Sequence, residues 1–191
     1  MMKILLFLMI SLVAFVGCES EYDKMSEYEK AIYDVGNNCT LSVEDILKSA
    51  PVWSGEKIIS CTGPNGNGDI NMSDYSNDDL DGGIRYCFEF GSRFRCWRYC
   101  YVGPANYMGY YLDCEYSIQA DKSLNLNLES ILADRPFIRN VRVVAYNESC
   151  VVIETYDGGT YYPYVTFVLK PATAEKKLWL ENDCKGLTKI E

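Results

Sequence analysis

The sequence predicts a mainly β protein: a single up-and-down antiparallel β-barrel of about eight strands, with an N-terminal helical segment and a C-terminal helix. Three observations carry this expectation. Runs rich in valine, isoleucine and tyrosine recur along the chain, separated by stretches dense in Gly, Asn, Asp and Ser, the pattern of strands joined by turns. The last two runs, Cys150 to Tyr156 and Thr160 to Leu169, are apolar on both faces. A sheet covered on both sides suits a closed barrel with a helix packed outside it. After Pro171, Ala172 to Glu181 can wind as a helix, with Leu178 and Leu180 available to the sheet beside Trp179. A two-sheet sandwich is the competing architecture.

Taken in order, residues 1–18 read as a secretion signal: Lys3, the apolar run Ile4 to Val16, then Gly17 and Cys18 as small residues for cleavage. The run is too short for a comfortable membrane span. Lipid attachment at Cys18 is the rival, and Phe15-Val16-Gly17 is a poor version of that signal. Residues 19–191 are expected to form one secreted domain. Met25, Tyr28, Ile32 and Tyr33 stand near helical spacing, and Ser42-Val43-Glu44-Asp45 resembles a capped helix start. Val52 to Cys61 reads as the first strand, followed by a polar loop from Thr62 to Gly83. Ile84 to Tyr101 forms a hairpin, Tyr107 to Ile118 another strand, and Leu124 to Leu128 a short one. Val141 to Tyr146 then opens a closing meander whose last turn is Asp157-Gly158-Gly159.

Composition limits the function classes. A chain of 191 residues that is 48% hydrophobic can bury a sizeable core. A net charge of −9 repels nucleic acid. The absence of histidine removes Ser-His-Asp and Cys-His catalysis and mixed Cys/His zinc sites. Enzymes that use carboxylates alone stay open as a class, but no motif supports one, nor a metal or a cofactor. Asn65, Asn67, Asp69 and Asn71 alternate like calcium ligands, but the sixth loop position is Ile70 rather than Gly and no Glu sits at the twelfth. A solvated loop is the better reading.

Eight cysteines follow Cys18: Cys39, Cys61, Cys87, Cys96, Cys100, Cys114, Cys150 and Cys184. An even number in an exported chain predicts four disulfides. A two-residue turn at Gly91-Ser92 would place Cys87 opposite Cys96, with Cα atoms about 4.5 Å apart, close enough to bridge. The other six would then form three bridges, one of them tying the C-terminal helix to the barrel through Cys184. Asn38, Asn71 and Asn147 open Asn-x-Ser/Thr sequons and are candidate glycosylation sites.

This layout of signal, helical stretch, β-meander, last strand and cysteine-terminated helix resembles a lipocalin. Its acidic, cysteine-rich character is most similar to the divergent salivary lipocalins of ticks and other blood-feeding arthropods. The Gly-x-Trp signature of the first strand is missing, and Trp53-Ser54-Gly55 holds the same residues in reverse order. The resemblance implies a secreted, monomeric binder of a small hydrophobic or amine ligand, or an inhibitor of host defence proteins with a filled barrel. It implies no membrane partner.

Candidate ligand residues come from the side chains themselves. With the last turn at Gly158-Gly159, Val152, Glu154, Tyr156, Tyr161, Val165 and Phe167 fall on one strand face. If that face is the interior, Glu154 can hold the ammonium of an amine such as histamine or serotonin, with Tyr156 and Tyr161 around it and Val152, Val165 and Phe167 as the floor. The bland alternative is an exterior carboxylate paired with a cation of the protein. The opposite face carries Tyr162, Tyr164 and Thr166 and no carboxylate, and if that face is the interior a neutral lipid is expected instead. Arg93, Arg95 and Arg98 are a second group, able to hold the carboxylate of a fatty acid or eicosanoid. Strand alternation puts Arg93 and Arg95 on one face and Arg98 on the other, so the three cannot line one pocket and are expected as surface charges.

Overall fold

The computed structural model describes residues 20–36, 39–74, 83–103, 106–127, 138–156, 161–183 and 187–190. Ten strands are described: β1 (Val52–Cys61), β2 (Ile70–Asp74), β3 (Arg85–Phe90), β4 (Phe94–Gly103), β5 (Asn106–Ile118), β6 (Ser123–Asn127), β7 (Asn140–Asn147), β8 (Cys150–Tyr156), β9 (Tyr164–Ala172) and β10 (Thr188–Ile190). Eight of them close into one antiparallel barrel. Starting from β1, each strand in the series β3 to β9 pairs with the next, and β9 returns to β1 through nine paired positions. β2 is a side branch on β1, and β10 lies parallel to β5. The polar loop predicted between the first two barrel strands thus contains a strand, β2. All five of its residues are exposed, so burial leaves no alternating signal to read.

Three α-helices, α1 (Glu27–Val35), α2 (Val43–Lys48) and α3 (Ala174–Asp183), and two single 3₁₀ turns, Tyr22–Lys24 and Pro64–Gly66, complete the described chain. Ser26 caps α1 in a reciprocal box with Glu29, and Ser42 caps α2 by accepting from Asp45 N–H. Short α2 plugs one end of the barrel. Its Val43, Ile46 and Leu47 join the inner core, and Trp53 Nε1 donates to Leu47 O at 2.9 Å. Phe88, Phe90, Phe94 and Phe167 fill that half of the interior, all essentially without solvent contact. Phe88 touches each of the other three, at ring-centroid separations of 5.1 to 6.4 Å. Burying each such ring stabilises the fold by about 1.5–3 kcal/mol. α1 covers the outer wall over Ile59, Cys61, Ala145 and Val152.

Two hairpin registers differ from the sequence expectation. The β3–β4 turn holds three residues, Gly91 to Arg93, so Cys87 pairs with Trp97 and Cys96 with Phe88. A shift of one residue sends side chains to opposite faces. Cys87 therefore lies outside with Trp97, Tyr99 and Leu180, while Cys96 lies in the inner core. The predicted Cys87–Cys96 bridge is corrected by this geometry. All seven described cysteines are unbridged in this structure, and Cys184 and Asn38 lie outside the described residues. At the second hairpin Tyr156 pairs with Tyr164, so the connection is longer than the expected Gly-Gly turn and the faces of β9 are exchanged.

The C-terminal helix is held by charge and aromatic packing. Lys177 Nζ lies 2.8 Å from Glu89 Oε1, and Arg95 Nη1 bridges Glu89 at 3.2 Å and Glu181 at 3.3 Å. Arg93 and Arg95 also flank Asp113, on the face expected for them. Leu180 is buried, Trp179 meets Tyr99 and Tyr107 edge to face, and Lys176 Nζ sits 4.1 Å above the Trp179 ring. Leu178, expected on the sheet side, is 59% exposed. Successive helical residues turn by about 100°, so turning Leu180 and one side of Trp179 to the sheet leaves Leu178 outside.

Candidate functional site

Away from the α2 plug, the inner face of the barrel changes character from apolar to polar. Tyr86, Arg98 and Tyr110 are paired across β3, β4 and β5 at one level, beyond the layer of Phe88, Cys96 and Leu112. The register places them on the inner face, and Tyr86 packs on Phe167 with centroids 4.7 Å apart. Arg98 Nε donates to the Tyr86 hydroxyl at 3.0 Å. The guanidinium carbon stands 6.0 Å from the Tyr86 ring centre and 5.8 Å from that of Tyr110, at the outer limit of cation–π attraction. The rings therefore steer the side chain more than they hold it. Among the described residues no carboxylate lies within ion-pair distance of Arg98, whereas Arg93, Arg95 and Arg142 each have one. Gly109 fixes the local backbone. Its φ is +153°, and a Cβ there would fall 1.9 Å from Arg98 O.

The residues expected to bind an amine separate. Ile153 pairs with Phe167 and Thr155 with Val165, which puts Val165 and Phe167 in the inner core. Val152 belongs to the outer cluster under α1, and Glu154 and Tyr156 share its outward face by strand alternation. Tyr161 is 82% exposed. Glu154 is buried but already satisfied. Arg142 Nη2 donates to its Oε1 at 2.9 Å, and the Asn65 backbone N–H donates to its Oε2 at 2.6 Å. Arg142 also binds the Asn65 side chain and reaches the Tyr28 hydroxyl. Burial, reinforced by the charge of Glu154, raises the Tyr28 pKa, and Arg142 partly opposes this. The cation beside Glu154 is supplied by the protein, so the exterior reading replaces the amine site.

Arg142 and Tyr86 are the partners that sequence reasoning missed. With Asn147 paired to Cys150, an uninterrupted β7 would set Val143 opposite Glu154. A bulge between Val143 and Ala145 brings Arg142 there instead. Likewise, the expected two-residue turn at Gly91-Ser92 would have put Arg85, not Tyr86, beside Arg98.

The two described sequons differ in access. Asn71 is exposed on β2. Asn147 Nδ2 donates to Val35 O at 2.9 Å, and its Oδ1 accepts from Ser149 N at 2.9 Å. Compared with protein-family models and with curated proteins, the chain finds no match.

Proposed function

We propose that this protein is a secreted, non-catalytic binding protein of lipocalin type, whose barrel takes the anionic head of a small hydrophobic acid. The observation that carries this reading is Arg98, an inward-facing guanidinium with no carboxylate partner among the described residues, set above an apolar aromatic core. A half-buried cation without a counter-charge favours an anion, and a guanidinium can grip a carboxylate through two parallel hydrogen bonds. The overall charge of −9 opposes anions only weakly at this point, since surface charges beyond about 8 Å are screened at physiological salt.

Calorimetric titration with a long-chain fatty acid, with serotonin and with histamine tests the reading on the wild type, Arg98→Gln and Glu154→Gln. The fatty acid is expected to bind, with Arg98→Gln weakening it at least tenfold, the equivalent of losing about 1.5–3 kcal/mol of charged hydrogen bonding. Glu154→Gln should leave its affinity unchanged. Amine binding that disappears in Glu154→Gln would restore the amine reading and defeat this one.

A further inference from the structure

A concave site lies on the barrel wall, and Arg98 is not among its lining residues. β6 and β7 share only two paired positions, Ser123 with Arg142 and Leu124 with Val141. The next rung, Asn125 and Asn140, is unpaired, and the strands part there to leave a groove of about 650 Å³. This volume is within the range of small-molecule sites, about 300–1,000 Å³. Tyr156 and Tyr164 form one side of it, edge to face with centroids 5.3 Å apart. The side chains of Asn125, Asn140, Tyr156 and Tyr164 make no hydrogen bond with the described residues. Arg142 and Glu154 also line the groove, but they neutralise each other at 2.9 Å.

We infer that this groove binds a neutral saccharide. Four of its lining residues, Asn125, Asn140, Tyr156 and Tyr164, match features of a sugar. An asparagine amide both donates and accepts, so it can satisfy two neighbouring hydroxyls, and phenol hydroxyls do the same singly. A tyrosine face covers the apolar C–H surface of a pyranose ring while its hydroxyl stays wet. The internal pairing of Arg142 with Glu154 leaves no net charge to reward an ionic ligand. A purely apolar ligand would strand both asparagine amides without water, which is unfavourable.

The test is two-dimensional amide NMR of the full chain titrated with glucose, galactose, mannose, N-acetylglucosamine, lactose and maltose. At least one of these is expected to give saturable shifts centred on Asn125, Asn140, Tyr156 and Tyr164, with a dissociation constant in the millimolar range or below. Asn140→Ala and Asn125→Ala, both at exposed positions, should each weaken it by about 3- to 10-fold. Arg98→Gln should leave it unchanged, which separates this site from the proposed acid site. The inference is overturned if none of the six sugars saturates or the shifts centre elsewhere. It is also overturned if neither alanine variant weakens binding, or if a sulfated sugar binds more tightly than its neutral parent.

Discussion

Glu154 and Arg98 exchange the roles that strand patterning suggests for them. Glu154 sits among apolar neighbours in sequence, as a ligand-binding carboxylate would, yet its lone pairs are taken by Arg142 and the Asn65 N–H. Arg142→Ala would leave this nearly buried carboxylate with one donor. Because Arg142 is itself 41% exposed, the expected loss lies between the exposed-pair and buried-pair limits, about 1–2 kcal/mol in urea denaturation. Gly109→Ala should cost about 1–3 kcal/mol through its collision with Arg98 O, and should also weaken fatty-acid binding, which a remote destabilising change would not do. The thiols carry a prediction of their own. Burial raises Cys96 well above its ordinary pKa and lifts Cys114 to about 11. Neither should react with a water-soluble disulfide reagent at pH 8 until the barrel unfolds. Non-reducing peptide mapping should never join Cys87 to Cys96, since their side chains leave opposite faces of the sheet.

Among the elements, α3 depends most on charge. Burial pulls Asp113 upward, but the Arg93 hydrogen bond, the charge of Arg95 and the Tyr111 hydroxyl outweigh it and hold the carboxyl below its ordinary pKa. A folded-state pKa below the unfolded one gives stability that is present above the unfolded value, about 3.9, and is lost as pH falls through the folded value. Asp113 orients Arg95, and Arg95 reaches Glu181 on α3. Acidification below about pH 4 should therefore lower the protection of α3 amides, relative to their intrinsic exchange at that pH, before that of β8, and Asp113→Asn should show the lowered protection already at neutral pH. The elements themselves were largely legible in the sequence. β1 and β8 match their expected bounds, and the Ser42 cap starts α2 where expected, because these segments follow local rules of alternation and capping. Register was not legible. A third turn residue after Phe90, a longer connection after Tyr156 and one bulge in β7 each moved side chains by an odd number of places. A one-residue slip conserves the strand and exchanges its faces, so the barrel was readable while its lining was not.

At the scale of the whole molecule, the barrel has a plugged apolar half and a polar half. Helix α2 and the phenylalanine cluster close one end, and Phe88→Ala should cost about 3–5 kcal/mol because every neighbouring ring then borders a void. The opposite half carries Arg98 between two tyrosines on the inside and the asparagine-flanked groove on the wall. In the sequence Arg98 differs from Arg93 and Arg95 only in parity, and all three are expected as surface charges. Its lack of a carboxylate partner among the described residues emerges only when Arg93 and Arg95 are seen spent on Asp113, Glu89 and Glu181. The most direct measurement is carbon NMR of a fatty acid labelled with ¹³C at its carboxyl, added to the wild type and to Arg98→Gln. A separate bound carboxylate resonance in the wild type, lost or shifted back toward the free position in Arg98→Gln, is the expected result. An identical bound resonance in both proteins, or none in the wild type, would contradict an anion site at Arg98.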